Sequence, residues 1–408
     1  MKSNYKRIGN YIRLVDERNK GLQVKQLLGL SISKQFIPSV ANIIGTDMEN
    51  YKIIRRNQFA CSTMQVRRDK KMPVALLQDI DEAIISQAYP IFEVKDEKEL
   101  LPEYLMMWFS RAEFDREACF HAVGGVRGSL EWEDFENLQL PIPHPDKQRE
   151  IVAEYNAIQN RININNQLIQ KLEETAQAIY KQWFVEFEFP DKEGKPYKSN
   201  GGELVRNEEL GKDVPEGWRV GKLGDYIESA SKQHDFNKDS LIFFNTSDIL
   251  NGEFLHNDYS LVKDMPGQAK KRIQKNDILY SEIRPANKRF ALVRTDEVEE
   301  YVISTKLMVL RRIKDELSEL RLYHYLTLDS FIEILQQSAD GRSGTFPQIT
   351  FDEDIYDKRF ILGNEITEKK WNSFLIVYYA QIFSKKDENR KLIEFKNILL
   401  SKLATIEK

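Results

Sequence analysis

Ile54-Arg55-Arg56-Asn57-Gln58-Phe59-Ala60-Cys61-Ser62 has its counterpart in Ile273-Gln274-Lys275-Asn276-Asp277-Ile278-Leu279-Tyr280-Ser281, 219 residues further on. Each copy joins a basic turn containing asparagine to an apolar strand, and the repetition decides the fold: one globular unit is written twice. Outward from this pair, Ile8-Gly9-Asn10-Tyr11-Ile12 answers to Leu223-Gly224-Asp225-Tyr226-Ile227, and Ile85-Ser86-Gln87-Ala88 to Ile303-Ser304-Thr305-Lys306. The glycine turns Gly125-Val126-Arg127-Gly128-Ser129 and Gly341-Arg342-Ser343-Gly344-Thr345 then precede Trp132-Glu133-Asp134-Phe135 and Phe351-Asp352-Glu353-Asp354-Ile355.

Within each copy, runs rich in Val, Ile and Phe (83–94 and 301–311) read as strands, and 101–119 and 317–337 read as helices. Each half is α+β with a mostly antiparallel or mixed sheet. After Leu140-Pro141-Ile142-Pro143-His144-Pro145, Asp146 is placed as the cap of a stretch free of Gly and Pro up to Pro190, with Gly194 the next glycine. That predicts a helix of about 40 residues and about 60 Å. Ile151, Ile158, Asn165, Leu172 and Ile179 recur every seven residues, with Tyr155, Ile162, Ile169, Ala176 and Trp183 four further on, which keeps one stripe toward a partner helix. A second helix, 367–406, carries Trp371, Leu375, Tyr378, Ile382, Leu392, Leu399 and Leu403 in the same phase. Asn165 in the first stripe and Lys385 and Asn389 in the second interrupt the seam, where polar groups fix register. The fold class is therefore α+β, with two similar globular domains separated by two long antiparallel coiled-coil helices in a pseudo-two-fold internal repeat.

The 408 residues are 41% hydrophobic and 30% charged, which supports folded cores rather than disorder. No run approaches the roughly 18 apolar residues of a membrane helix, and the opening residues lead into no signal core, so a cytoplasmic protein with no membrane association is expected. The two cysteines, Cys61 and Cys119, have no metal-ligand spacing, and His121, His144, His234, His256 and His324 are scattered. The net charge of −4 looks unsuited to a nucleic-acid binder, but its distribution is not. Residues 52–71 hold seven bases and one acid, and 270–289 hold seven bases and two acids, at matching places in the two copies.

Glu193-Gly194-Lys195 after Asp191 imitates a nuclease signature, but it falls in a flexible, Pro- and Gly-rich linker with nothing to fix a metal. There is no Asn-Pro-Pro or Asp-Pro-Pro loop followed by an aromatic residue, and no phosphate-binding G-x-x-x-x-G-K-[ST]. No catalytic residue, metal ligand or cofactor site is assigned.

Leu140-Pro141-Ile142-Pro143 running into Gln148-Arg149-Glu150-Ile151-Val152, Tyr197-Lys198-Ser199-Asn200-Gly201-Gly202-Glu203, and Pro215-Glu216-Gly217-Trp218 before Leu223-Gly224-Asp225 resemble the specificity subunit of Type I restriction-modification enzymes. The resemblance spans essentially the whole chain. It implies target recognition domains at 1–145 and 218–365, conserved spacer helices at 146–188 and 366–408, and a linker at 189–217. The second seam departs in detail, with Lys385, Asn389 and Lys396 where the first has Asn165, Ile169 and Ala176. The family implies a non-catalytic, sequence-specific double-stranded DNA-binding subunit that reads a split, asymmetric site. It implies two methyltransferase subunits as partners, with restriction subunits beside them. S-adenosylmethionine, ATP and Mg belong to those partners. Two readers on a stiff helix pair suit half-sites about one DNA turn, roughly 34 Å, apart.

Candidate DNA-binding residues are Ser62, Thr63, Gln65, Arg67, Arg68, Arg127 and Ser129 in the first half, and Ser281, Arg284, Asn287, Lys288, Arg289, Arg342 and Ser343 in the second. Arg pairs with guanine, Asn and Gln with adenine, and Lys holds phosphate. Lys34, Gln35, Lys232 and Gln233 fall at comparable loop positions after the first strands. Tyr180, Trp183 and Phe184 are candidates for partner docking, with packing between the helices as the alternative. An interaction scaffold whose heads bind protein is the competing reading, and the salt dependence of binding separates the two.

Overall fold

The computed structural model describes residues 5–39, 46–125, 128–342 and 347–405, and the fold is α+β with one architecture built twice. Contacts divide the chain into two compact units, Met1–Asn165 with Glu388–Lys408, and Asn166–Asp387.

In the first unit a four-stranded antiparallel sheet has the order Ile12–Val15, Ile91–Val94, Phe59–Cys61, Val74–Leu76. In the second the same order is Ile227–Ser229, Leu307–Arg312, Ile278–Ser281, Phe290–Leu292. The repeated strand is buried on both faces, and alternation divides it between two cores. Phe59 and Cys61 enter one cluster and Ala60 another, just as Ile278 and Tyr280 oppose Leu279. A pair beside each sheet is also shared, Lys52–Arg55 with Glu82–Ile85 and Ala269–Lys271 with Tyr301–Ser304. The second unit adds Ser240–Phe244 parallel to Tyr301–Ser304, whereas the first has the hairpin Leu28–Leu30 and Phe36–Pro38.

The turn before the repeated strand is the same at the level of hydrogen bonds. Asn57 and Asn276 adopt φ of 65° and 71°, a region Asn enters more easily than most residues. Their amides donate to Leu77 and Val293 carbonyls, both at 2.8 Å. The next side chains, Gln58 and Asp277, accept from the Arg55 and Gln274 amides at 2.8 and 2.6 Å. Each then meets the neighbouring strand with its polarity exchanged: Gln58 donates to Glu93 at 2.8 Å, while Asp277 accepts two bonds from Arg311 at 2.8 and 2.7 Å. Lys52 and Lys271 likewise each donate to a hairpin carbonyl, of Tyr89 at 3.1 Å and Leu307 at 2.8 Å.

The first long helix is Pro145–Tyr180, and it continues through a π turn, Lys181–Val185, so the helical stretch has the expected length. Asp146 lies in its first turn, not at its cap, because Pro145 takes the first helical position, where its missing N–H costs nothing. The second is Glu365–Lys402, begun two residues early because Asn364 accepts from the Thr367 amide at 3.0 Å. Within the first unit their facing segments pair through Arg161–Glu388 at 2.6 Å, Asn165–Asn389 at 2.9 Å and Gln159–Lys396 at 3.0 Å. In the second unit Glu173 meets Lys386 at 3.1 Å, and Tyr180 lies against Trp371 with centroids 6.0 Å apart. Gln159 faces Lys396 where Asn165 faces Asn389, and Glu173 faces Lys386 where Tyr180 faces Trp371, so within each unit the segments run antiparallel. The second seam is Trp371, Leu375, Tyr379, Ile382, Lys386 and Asn389, so Tyr379 and Lys386 replace the expected Tyr378 and Lys385.

Other elements are also corrected. Residues 101–119 form two helices, Pro102–Phe109 and Ala112–His121, broken where Arg111 is extended, and 317–337 form Glu319–Leu326 and Asp329–Arg342. The connection after the first helix is folded. Phe189 stacks between Tyr197 and Trp218 with centroids 4.6 and 4.7 Å away, and a Cβ on Gly202 would overlap the Tyr197 ring. This explains why aromatic and glycine residues recur there. Asp191 accepts from the amides of Glu193 and Lys195 at 2.8 and 2.9 Å, and those bonds hold its carboxyl below the usual range. The nuclease-like pattern is thus a hydrogen-bonded turn.

Candidate nucleic-acid interface

In the first unit, strand Phe59–Cys61 ends in a turn fixed by the Ser62 amide donating to Pro73 O at 2.9 Å. Gln65 and Lys70, at φ of 64° and 51°, bracket a single helical turn, Val66–Asp69. That turn meets the glycine loop. Arg67 Nη1 donates to Gly124 O at 3.0 Å, and a Cβ on Gly128 would stand 2.8 Å from the Arg67 chain, so only glycine lets the loop close here. Leu130 donates to Thr63 O at 2.9 Å, and Val123 and Ser129 exchange amide bonds at 2.8 and 2.9 Å. Ser62, Thr63, Gln65, Arg67, Arg68 and Ser129 are therefore brought together. Arg127 lies outside the described residues.

The second unit repeats the device. Arg284 and Lys288, at φ of 46° and 52°, bracket the turn Pro285–Asn287. The Arg284 amide donates to Pro347 O at 3.1 Å and the Ile349 amide to Glu282 O at 2.9 Å, bringing this turn to the chain that follows the second glycine loop. Ser343 lies outside the described residues. Lys232 and Gln233 are exposed beside the Ala269–Lys271 strand, with the Arg272 amide donating to Lys232 O at 2.8 Å.

Several predicted contacts are engaged within the protein. Lys34 is a strut, not a reader: its ammonium lies 2.8 Å from Asp115 with 8% of its side chain exposed, and burial lowers its pKa against the pull of that carboxylate. Gln35, on the same hairpin tip, is exposed. Arg68 is held by Asp69 at 2.6 Å, Lys288 by Asp329 at 2.6 Å, and Arg342 by Asp354 and Glu353. Arg289 donates to the carbonyls of Ser247 and Ile249 at 2.8 and 3.0 Å, and buried Ser281 bonds Ile283. Arg284 and Asn287 are exposed.

The two basic islands are largely neutralised in space by acids distant in sequence: Arg55 by Glu17 and Glu82, Arg56 by Asp81, Arg272 by Asp235 and Lys275 by Asp296. Among the described residues, Lys70, Lys71, Lys232 and Lys270 are exposed cations with no carboxylate partner. Lys70, Lys71 and Lys270 were missed as candidates although they lie inside the islands; the island itself was their signal. Tyr180 and Phe184 are buried and Trp183 packs with them against Trp371, at 6.0, 5.5 and 5.4 Å, so their docking role gives way to core packing. No group of three or more His, Cys, Asp and Glu converges on an ion position among the described residues, and no helix among them is long and apolar enough to cross a membrane.

The Type I restriction modification DNA specificity domain matches residues 68–174 and 215–353. Over 136 residues, 33% of this chain and 29% of the relative, the chain is 47% identical to the Type I restriction enzyme HindI specificity subunit of Haemophilus influenzae. It is 21% identical over 313 residues, 74% of this chain and 68% of the relative, to the MjaIX specificity subunit of Methanocaldococcus jannaschii. The crystal structure of a Type I restriction-modification S subunit from M. genitalium covers 99% of this chain and 96% of its own at a TM-score of 0.52 and 13% identity, a likeness of fold.

Proposed function

The chain belongs to the Type I restriction-modification specificity subunits, and from that premise we propose that it reads a bipartite, asymmetric double-stranded DNA site, one half-site per domain, without chemistry of its own. The observation that carries this is the pair of matched turns, each following a strand end and bracketed by two left-handed residues, furnished with different side chains. Gln65, Arg67, Lys70 and Lys71 stand in one, and Arg284 and Asn287 in the other. Like frames with unlike side chains suit half-sites of unlike sequence.

Methyl transfer, ATP hydrolysis and cleavage, with S-adenosylmethionine, ATP and Mg, fall to methyltransferase and restriction subunits recruited in the cytoplasm. The outward faces of the long helices support recruitment, since Ile376 and Val377 in one unit and Ile393, Phe395 and Ile398 in the other are exposed. They replace Tyr180, Trp183 and Phe184 as docking candidates.

A salt titration of duplex binding tests the DNA reading. Affinity falls steeply with ionic strength, and K70E/K71E flattens the log–log slope by about 2 if both lysines meet phosphate. Salt-independent binding contradicts the reading and favours a protein-binding scaffold.

A further inference from the structure

Beside the turn of the first domain stands a small apolar patch in an otherwise charged setting. Phe120, the penultimate residue of helix Ala112–His121, is 80% exposed; Val123 is 53% and Met64 47% exposed. These residues are held close to one another by the backbone. Cys119, just before Phe120, donates to Val66 O at 3.3 Å, Val123 pairs with Ser129, and the Leu130 amide binds Thr63 O at 2.9 Å, next to Met64. The Arg67 bond to Gly124 O at 3.0 Å steadies the chain between them. A phenyl ring left in water forgoes about 1.5 to 3 kcal/mol of burial, and single exposed apolar residues are common. Three together at the rim of a binding surface are a different case.

The charge around the patch indicates the occupant. Arg67, Lys70 and Lys71 are exposed, and among the described residues none has a carboxylate partner. Resting on the DNA-reading proposal above, we infer that Phe120 is an apolar wedge that inserts between adjacent base pairs at the half-site read by the first domain, with Val123 and Met64 against the sugar edges and the three cations on the flanking phosphates. Partial unstacking by an inserted apolar side chain bends the duplex toward the protein and lets it cover more surface. Among the described residues, the corresponding helix of the second domain, Asp329–Arg342, ends Ser338-Ala339-Asp340-Gly341-Arg342, with no aromatic side chain at its end. The distortion is accordingly placed in the half-site read by the first domain.

The probe is a duplex bearing the motif that methylation mapping assigns to this chain, with 2-aminopurine stepped through both half-sites. Binding of the full chain with its methyltransferase subunits raises fluorescence at one step of one half-site. F120A abolishes that rise and weakens binding about 5- to 150-fold, F120W retains both, and L255A, at another exposed apolar position, behaves as the parent. Specific binding by the parent with no rise at any step, or an unchanged rise in F120A, overturns the wedge while leaving DNA reading intact. Loss of methyltransferase association in F120A with normal DNA binding overturns it in favour of a protein contact. Failure of the parent to distinguish its motif from a scrambled duplex overturns the DNA reading, and the wedge with it.

Discussion

Arg284 sits where a left-handed residue opens the turn of the second domain, and its side chain is exposed at the rim. If it pairs with a base, R284A weakens binding by about 1 to 3 kcal/mol and relaxes specificity at one position of one half-site. Competition against substituted duplexes checks this, and an equal loss on every sequence demotes the contact to phosphate. His324 gives a second test at this scale. Burial, reinforced by Arg321, holds its pKa down to about 3, with Nδ1 3.1 Å from the Tyr379 hydroxyl. The unfolded chain takes up a proton near pH 6.5 that the folded one refuses, so this contribution is intact above that pH and fades as pH falls toward 3. Urea unfolding of the second unit should lose about 2 kcal/mol between pH 7 and pH 5 from this group, and H324F should lack that loss. An identical pH dependence in H324F contradicts the assignment. Residue types beside strand ends were legible in the sequence; their partners were not. Lys34 and Asp115, or Lys288 and Asp329, are joined only by folding, and a charge count along the chain treats both lysines as free.

Among elements, the repeat was the most legible feature, because a strand buried on both faces must keep its apolar run in both copies. The first seam could also be read directly, since Ile151, Ile162, Ile169 and Ala176 are buried at the expected spacing. In the second seam Trp371, Leu375, Ile382, Asn389 and Leu403 are buried as expected, whereas Tyr379 and Lys386 stand one residue beyond the positions that a strict heptad gives. The breaks at Arg111 and near Thr327 involve neither Pro nor Gly; at each, a hydroxyl at the helix end, of Ser110 or Thr327, donates to the carbonyl four residues back, of Met106 or Tyr323, at 2.9 Å. The Asn165–Asn389 amide pair is the testable link in the helix pairing, with both residues buried and 2.9 Å apart. N165L alone removes a donor from Asn389 and costs about 1 to 3 kcal/mol, whereas N165L/N389L recovers most of that loss because neither amide remains. Equilibrium denaturation of both variants decides, and a double variant no more stable than the single shows that the amides are not coupled.

At the scale of the whole molecule, a duplicated chain supplies two domains that share a frame and differ in surface, and the proposed function makes each a reader and leaves the reaction to other subunits. The inserted strands of the second unit and the Phe120 patch of the first are what duplication followed by divergence produces. The account stands or falls on the form of the DNA site. Methylation should be mapped genome-wide in a host with and without this chain, its partner subunits unchanged. The predicted result is that deletion removes modification from one motif made of two unlike half-sites with an unread gap between them. Modification that persists unchanged, or is lost from an uninterrupted or palindromic motif, contradicts the account.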